Sequence, residues 1–517
     1  MLLACPCNPF FTLSLFLTLS SMEGKAKKIL HFSFFTVLFF STVTSTSNYL
    51  QSHTLVLNSL PNPSTFSWPQ SDYRSDLNDL TQTNGESSLS LDLHHLDALV
   101  SITKDLESLS FNGTQTSESL FKLRLQRDIL RVKTLNKILE SAARSPPSNS
   151  TAASGRGGFS SSVVSGLAQG SGEYFTRIGV GTPPKYIFMV LDTGSDVPWL
   201  QCAPCRKCYS QTDPIFDPRK SSSFSKVPCG SPTCRRLENA GCSTKTQTCL
   251  YQVSYGDGSF TRGDFGTETL TFRGSRVGQV ALGCGHDNQG LFVGAAGLMG
   301  LGRGRLSFPT QTSRRFNGKF SYCLVDRSTS SKPSSMIFGD AAVSRTARFT
   351  PLITNPMLDT FYYVELLGIS VGGARVPGIV PSLFKLDEAG NGGVIIDSGT
   401  SVTRLTRSAY IRFRDAFRVG ASGLKRGTGF SLFDTCFDLS GMKEVKVPTV
   451  VLHFRGADMS LPANNYLIPV DSSGTFCFAF AGTMNKLSII GNIQQQGFRV
   501  VYDLAGSRVG FAPRGCA

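Results

Sequence analysis

Two short motifs carry carboxylates in a setting that suits acid–base chemistry. Asp192-Thr-Gly-Ser follows the apolar run Phe188–Leu191, and Asp397-Ser-Gly-Thr follows Val394–Ile396. Such runs predict buried strands, and the glycine of each motif permits a sharp turn behind the acid. Each aspartate is therefore expected at the end of a rigid strand. One copy alone would be weak evidence, because ordinary turns and helix caps use the same residues.

The motifs belong to a longer internal repeat. Residues 177–197 resemble residues 367–402 in running from a glycine-bounded strand through an apolar strand to the aspartate. Farther on, an apolar pair precedes Gly300, 108 residues after the first aspartate, and another precedes Gly491, 94 residues after the second. Short β-type runs broken by glycine dominate the chain from residue 173. The repeat predicts a mostly β, bilobal fold, with lobes at 173–345 and 346–517.

The first 45 residues predict a secretory signal. Lysines precede an apolar run and then small residues, all downstream of Met22. Either Met22 is the natural start, with the usual signal order, or Met1 begins one long irregular signal. Both apolar runs are too short to span a membrane. The protein is expected in the secretory pathway, most simply outside the cell, with the endoplasmic reticulum and the vacuole left open.

Residues 46–145 have a different texture from the repeat and predict a prosegment. They contain no cysteine. Leucines at 89, 91 and 93 alternate as in a strand, whereas apolar residues at 125, 129, 132 and 139 have helical spacing. Residues 146–172 are rich in Ser, Gly and Pro, which predicts an exposed linker that is cut during maturation.

Cysteines and sequons agree with secretion. Twelve of the 14 cysteines lie beyond the targeting region, which predicts six disulfides. The cluster Cys202, Cys205 and Cys208 could suggest zinc, but a fourth ligand at matching spacing is missing, so no metal is expected. Glycosylation sequons occur at Asn112 and Asn149, both upstream of the repeat.

The net charge is +15, and residues 1–159 hold 13 basic and 12 acidic residues, so nearly all the excess lies downstream. No dense basic block suggests a nucleic-acid-binding arm. A solvated basic surface is expected, and binding to an anionic wall polymer is an open alternative.

Two other hydrolase classes have candidate residues in the sequence besides the paired aspartates. Residues 368–372 match the Gly-x-Ser-x-Gly pattern of serine hydrolases, with Ser370 as nucleophile and His453 as base. The repeat accounts for the same segment as a strand. A cysteine protease has only His286 and His453 available beyond the linker.

With these motifs, residues 173–516 resemble the pepsin-like aspartic proteases. The resemblance implies that Asp192 and Asp397 face each other across a cleft and form the catalytic dyad. It implies that Thr193 and Ser398 bond across the lobes, and that Ser195 and Thr400 bond the outer carboxylate oxygens beside the turn glycines Gly194 and Gly399. The segment SYGDGS at 254–259 resembles the flap, with Tyr255 and Gly256 over the substrate and Trp199 as the tyrosine's partner.

A cysteine-rich insertion between Trp199 and Tyr255 makes the plant nepenthesin type the better match. The segments GCGHDNQGLF at 283–292 and SYCLVDR at 321–327 resemble the guard-cell aspartic protease subgroup. The resemblance also implies a Cys436–Cys477 bridge. Plant xylanase inhibitors share this fold without a working dyad, so a binding protein is the rival interpretation.

The resemblance implies hydrolysis of peptide substrates by a monomer without a cofactor. Two carboxylates a few Å apart do not both ionise cheaply, so they share one proton and activate a water. A basic prosegment helix can sit near this anionic pair and inhibit it. The candidates are Arg124, Arg127, Arg131 and Lys133.

Overall fold

The computed structural model describes residues 50–60, 88–95, 116–144, 174–254, 259–272, 275–290, 294–325 and 334–516. The signal region, the linker, both sequon residues (Asn112 and Asn149) and the flap residues Tyr255 and Gly256 lie outside these ranges. The described residues form 30 strands and few helices, so the mostly β prediction is confirmed.

The strands up to residue 339 are β1 Ser52–Val56, β2 Ser88–His95, β3 Tyr174–Val180, β4 Lys185–Asp192, β5 Trp199–Gln201, β6 Ser225–Lys226, β7 Gly241–Cys242, β8 Cys249–Ser254, β9 Phe260–Phe272, β10 Ser275–Gln289, β11 Gly297–Gly300, β12 Lys319–Cys323 and β13 Ser334–Gly339.

The later strands are β14 Arg348–Pro351, β15 Tyr363–Val364, β16 Leu366–Val371, β17 Ala374–Arg375, β18 Val394–Ile396, β19 Thr403–Thr406, β20 Arg426–Gly427, β21 Cys436–Asp438, β22 Glu444–Pro448, β23 Val450–Phe454, β24 Ala457–Leu461, β25 Leu467–Pro469, β26 Thr475–Phe478, β27 Phe480–Thr483, β28 Ser488–Ile490, β29 Arg499–Asp503 and β30 Arg508–Ala512. The α-helices are α1 Ser117–Arg144, α2 Phe308–Gln311, α3 Ser313–Phe316, α4 Arg407–Gly420 and α5 Asn492–Gln495.

The strand pairing repeats in the two halves around each aspartate. In the first half β4 runs parallel to β11, which pairs antiparallel with β5, and β5 pairs parallel with β10. In the second half β18, β28, β19 and β27 repeat these relations in the same order. A fifteen-stranded sheet also joins β12 and β13 to β29 and β30. The sequence repeat is therefore a repeat of topology.

The segment upstream of the repeat is built into the fold by two strands. Strand β2 lies between β13 and β3, with Leu91 opposite Met336, and its alternating leucines are buried as predicted. Strand β1 pairs with β22 in the second half, with Leu55 opposite Val445. The sequence analysis did not predict β1.

Helix α1 has the predicted helical period and packs on the second half. Leu125 is fully buried in a cluster with Val402 and Phe433. Ten residues farther along the helix, Leu135 is fully buried in a cluster with Ile395 and Ile489. These clusters lie on both sides of Asp397 in the sequence, so the helix is fixed across the aspartate turn.

Six disulfides join all twelve cysteines downstream of the targeting region, as predicted. They are Cys202–Cys284, Cys205–Cys208, Cys229–Cys242, Cys234–Cys249, Cys323–Cys516 and Cys436–Cys477. None of the helices in the described ranges is long and apolar enough to cross a membrane.

Candidate active site

Both aspartates lie at the ends of their parallel strand pairs and are buried. Asp192 is the last residue of β4, in register with Gly300, and its carbonyl accepts from Leu301 N at 2.8 Å. Asp397 follows β18, and its N–H donates to Ile490 O at 3.1 Å. Their side chains are 0% and 1% exposed. The apolar-apolar-glycine segments noted in the sequence therefore hold the backbone of both acids.

The glycine two residues after each aspartate lies too close to the opposite carboxylate to carry a side chain. Gly194 N donates to Asp192 Oδ1 at 3.0 Å, and Gly399 N donates to Asp397 Oδ1 at 3.2 Å. A Cβ at Gly399 would lie 2.8 Å from Asp192 Oδ1, and one at Gly194 would lie 3.1 Å from Asp397 Oδ1. Each turn thus contacts the opposite carboxylate, and a side chain there would separate the pair.

Hydroxyl groups join the two turns, although one expected bond is absent. Thr193 Oγ1 accepts from Ser398 N at 2.9 Å and lies 3.1 Å from Ser398 Oγ. Thr400 Oγ1 donates to Asp397 Oδ2 at 2.6 Å. The corresponding bond from Ser195 to Asp192 is not made, and Ser195 Oγ has no partner among the described residues. A guanidinium donates to both oxygens of Asp192.

That guanidinium belongs to Arg131 of helix α1, and it contacts both acids. Nη2 donates to Asp192 Oδ1 at 2.6 Å and to Asp397 Oδ1 at 3.1 Å, while Nη1 and Nε donate at 3.2 Å to Asp192 Oδ2 and Asp397 Oδ2. Its side chain is 3% exposed. Burial opposes the charge of Arg131, but the two carboxylates outweigh it and raise its pKa. The cation therefore stays charged between two acids that face one site.

The other basic candidates of α1 do different things. Arg124 Nη2 donates to Asn492 Oδ1 at 3.2 Å, and Asn492 in turn donates to Ser398 O at 3.0 Å. Arg127 is buried, whereas Lys133 is exposed and borders a cavity. Of the four candidates, Arg131 is the one that the structure sets on both aspartates, and Lys133 is not part of the contact.

An acidic residue of α1, not singled out from the sequence, also binds the second half. Asp128 Oδ2 accepts from Arg404 Nη2 at 2.6 Å, and Oδ1 accepts from Ser401 N and, at 3.3 Å, from Val402 N. The pattern Asp128-x-x-Arg131 puts both side chains on one helix face. That spacing was the only signal in the sequence.

Trp199, the expected partner of the flap tyrosine, is fully buried in β5 within a cluster that includes Tyr251 and Phe265. Tyr255 lies outside the described residues, so the pairing stays a prediction.

Asp196 is a further acid next to the first turn. Its Oδ1 accepts from Gly304 N at 2.9 Å and its Oδ2 accepts from Thr360 Oγ1 at 2.7 Å. Burial raises its pKa to about 7, against these two hydrogen bonds, which favour the carboxylate. Its contacts link the first turn to the segment that enters the second half.

The serine alternative has part of its geometry. Ser370 Oγ lies 2.8 Å from His453 Nε2, and His453 Nδ1 lies 2.8 Å from Asp458 Oδ1. Ser370, however, lies inside β16, with β17 paired on one side and β23 on the other. A nucleophile elbow requires a turn between strand and helix with free N–H donors for an oxyanion. The strand pairing excludes that arrangement.

The zinc alternative loses its ligands, because Cys202, Cys205 and Cys208 are all in disulfides. Across the described ranges no group of three or more His, Cys, Asp or Glu residues could hold a metal ion.

Fold and site define a bilobal, pepsin-like β protein with paired aspartates. Two family models match, described as "Xylanase inhibitor N-terminal" at residues 174–340 and "Xylanase inhibitor C-terminal" at 361–513. Aspartyl protease family protein 2 of Arabidopsis thaliana is 67% identical over 503 residues, which cover 96% of this chain and all of that protein. The chain belongs to the plant aspartyl protease family, and as a member it is an aspartic-type endopeptidase.

Other relatives agree with the subgroup expected from the sequence. Protein ASPARTIC PROTEASE IN GUARD CELL 2 of Arabidopsis thaliana is 53% identical, over 69% of this chain and 76% of that protein. Aspartic proteinase nepenthesin-1 of Nepenthes gracilis is 44% identical, over 69% and 81%. The crystal structure of basic 7S globulin from soybean has a TM-score of 0.53 at 22% identity, over 66% of this chain and 93% of that chain, which indicates the fold alone.

Proposed function

We propose that Asp192 and Asp397 are the catalytic dyad and that residues 46–145 are a prosegment that inhibits it. The observation that carries the proposal is the double contact of Arg131. A single cation is bonded to four carboxylate oxygens of two strand-end acids. The same position suits the scissile peptide and its attacking water in the mature enzyme.

In the proposed mechanism the two carboxylates share one proton. The basic form removes a proton from a bound water, which attacks the peptide carbonyl, and the acidic form donates to the carbonyl oxygen. The turn N–H groups of Gly194 and Gly399 and the hydroxyl of Thr400 fix the carboxylate oxygens. No covalent bond to the enzyme is needed. As the C–N bond of the tetrahedral intermediate breaks, the proton taken from the water passes to the leaving amine nitrogen, and a hydroxyl proton of the intermediate returns to the other aspartate, so the pair again shares one proton.

Inhibition by the prosegment follows from charge and sterics. Arg131 neutralises the pair and fills the space between the two turns, while Leu125 and Leu135 dock the helix. Acid weakens ion pairs by protonating their carboxylates, so low pH favours release of α1. Cleavage in the linker 146–172 then makes the release permanent.

The finer assignments follow from the same proposal. The substrates are extended peptides, with the flap around Tyr255 and Gly256 closing over them. The enzyme acts as a monomer in the secretory pathway, outside the cell in the simplest case, and sugar is carried by Asn112 of the prosegment and Asn149 of the linker.

The rival is a binding protein on the same fold, as the family models' name suggests for other members. A binding protein without a working dyad would not need a prosegment cation that bonds both aspartates. Both turns here keep the glycines and hydroxyls that support two carboxylates. We therefore favour the enzyme.

The test is acid activation of the purified precursor, followed by a protein-substrate assay with and without pepstatin. Activity should appear only after acid treatment and be abolished by pepstatin, whereas a serine-directed phosphonate should leave it unchanged. An activated protein that cleaves nothing would refute the proposal, and inhibition by the phosphonate would favour Ser370.

A further inference from the structure

The contact between Asp128 and the second half has the form of a carboxylate-binding site. Arg404 supplies a charged donor at 2.6 Å, and the consecutive N–H groups of Ser401 and Val402 supply two more. The side chain of Arg404 is 5% exposed with α1 in place. A guanidinium with two backbone donors is a strong arrangement for one ionised carboxylate.

All three donors belong to the part of the chain that remains after maturation. We propose that, once α1 leaves, this site binds an Asp or Glu side chain of the substrate and makes Arg404 a specificity-determining residue. The inference rests on the proposed function, because it needs the prosegment to leave and a peptide to take its place.

Contacts that do not involve α1 hold the donors in position. Arg404 Nη1 donates to Val402 O at 2.9 Å, which holds the guanidinium against its own strand. On the other side of the loop, Ser401 O accepts from Ile493 N at 3.1 Å and Thr400 O accepts from Asn492 N at 2.7 Å. Helix α5 thus fixes the loop from behind. The site is preorganised, which lowers the cost of binding.

Departure of Asp128 leaves Arg404 without its counter-ion. A cavity of about 370 Å³ borders Arg404, with residues of α1 on one wall and Asp434 on another. Asp434 is already engaged, since it accepts from Tyr410 at 2.6 Å and from Arg414 at 2.9 Å. Asp434 therefore does not replace Asp128, and once the wall formed by α1 is gone the space beside Arg404 is open to the longer side chain of Glu.

The position of the acid along the substrate is limited by geometry. Asp128 and Arg131 are three residues apart on a helix, about 4.5 Å along its axis. An extended peptide advances about 3.3 Å per residue. With side-chain reach added, the acidic residue lies within three residues of the scissile bond.

The experiment uses the activated enzyme and matched peptides that carry Glu or Gln at each of the three positions on either side of an apolar cleavage site. At one position Glu should raise kcat/KM about tenfold above pH 5. The advantage should vanish below about pH 4, because the substrate carboxylate is then protonated while arginine keeps its charge.

Variants separate the site from general electrostatics. Arg404→Gln should bring the Glu peptide's kcat/KM down to that of the Gln peptide, and Arg404→Lys should restore part of the difference. Arg407→Gln removes the same charge three residues away and should leave the preference intact. Equal cleavage of Glu and Gln peptides at every position, or a preference that survives in Arg404→Gln, would overturn the inference.

Failure of the proposed function gives a different result. In that case neither peptide is cleaved and pepstatin has no effect. Fluorescence anisotropy of the same peptides on mature Asp192→Asn then tests the site by binding alone. Tighter binding of Glu than Gln, lost in Asp192→Asn/Arg404→Gln, supports it, and equal binding refutes it.

Discussion

Under the proposed function, Arg131 is the residue on which inhibition depends, because it is the cation between two buried carboxylates. Arg131→Gln leaves those acids without their counter-charge, and breaking a buried pair costs about 3–5 kcal/mol. We expect the intact precursor carrying this change to cleave a test peptide at least about tenfold faster than the wild-type precursor.

The measurement is the initial rate before any linker cleavage is visible on a gel. Lys133→Gln is the matched control, because it removes the same charge from an exposed position on the same helix. A precursor with Arg131→Gln that stays as inactive as the wild type would contradict the assignment.

Asp196 gives the fold a pH dependence. The ordinary pKa of an aspartate is 3.8, and burial raises the pKa of Asp196 to about 7. Between these pH values the unfolded chain has lost a proton that the folded protein keeps, so stability falls as pH rises from about 4 to about 7. Asp196→Asn keeps an acceptor for Gly304 N and places an amide N–H against the Thr360 hydroxyl, which can accept from it, and the variant should remove that fall, worth about 4 kcal/mol at pH 7.

Thermal unfolding at pH 4, 5, 6 and 7 measures this effect. The exposed Asp415→Asn should leave the pH profile of the midpoint unchanged. An identical profile for Asp196→Asn and the wild type would show that the group does not titrate in this range.

At the level of single residues, the sequence pointed to the two aspartates but not to the side chains that bond to them. Asp192 and Asp397 were identified by local pattern, because each motif is contiguous and repeated. Arg131 could not be told from Arg124 or Lys133, since the face and depth of α1 in the cleft depend on contacts far along the chain. Ser195 was expected to bond Asp192, but its hydroxyl has no hydrogen-bond partner among the described residues.

If the prosegment inhibits as proposed, helix α1 is the element whose docking sets the strength of inhibition. Leu135 is fully buried against the strand that leads to Asp397. Leu135→Ala should weaken docking by about 3 kcal/mol, which speeds hydrogen exchange of residues 117–144 by about a hundredfold.

The half-buried Leu130→Ala is the control for this helix, and it should change exchange far less. Equal exchange in the two variants would mean that the apolar face of α1 does not hold it in the cleft.

Strand and helix periods were enough to predict β2 and α1, because each has several buried residues at regular spacing. Strand β1 was missed, since five residues with one buried leucine give no period. Thr54 of β1 pairs with Lys446 of β22, 392 residues along the chain. No local sequence pattern can predict a pairing over that separation.

At the scale of the whole molecule, a disulfide that involves Cys516 closes a long loop of the chain. Cys323–Cys516 spans 193 residues, whereas Cys205–Cys208 spans 3. A longer closed loop restrains the unfolded chain more, so replacing the first pair by serine should cost about 5 kcal/mol against about 2 for the second. Chemical denaturation of the two variants compares them, and an equal loss would contradict the loop-length account.

The number of bridges followed from composition and compartment, but the pairing required the fold. The exception is Cys436–Cys477, the bridge implied by the resemblance. It is confirmed, and its two cysteines face each other across β21 and β26. The bilobal architecture was predictable because the repeat covers both halves, whereas the joining of β12 and β13 to β29 and β30 was not.

The most direct measurement of the central claim is kcat/KM of the activated protein with Asp192→Asn and with Asp397→Asn. Each variant should fall by about a thousandfold or more, because each removes one member of the acid–base pair. Asp458→Asn, which makes the same change at the carboxylate facing His453, should leave the rate unchanged. Undiminished cleavage by either dyad variant would contradict the account.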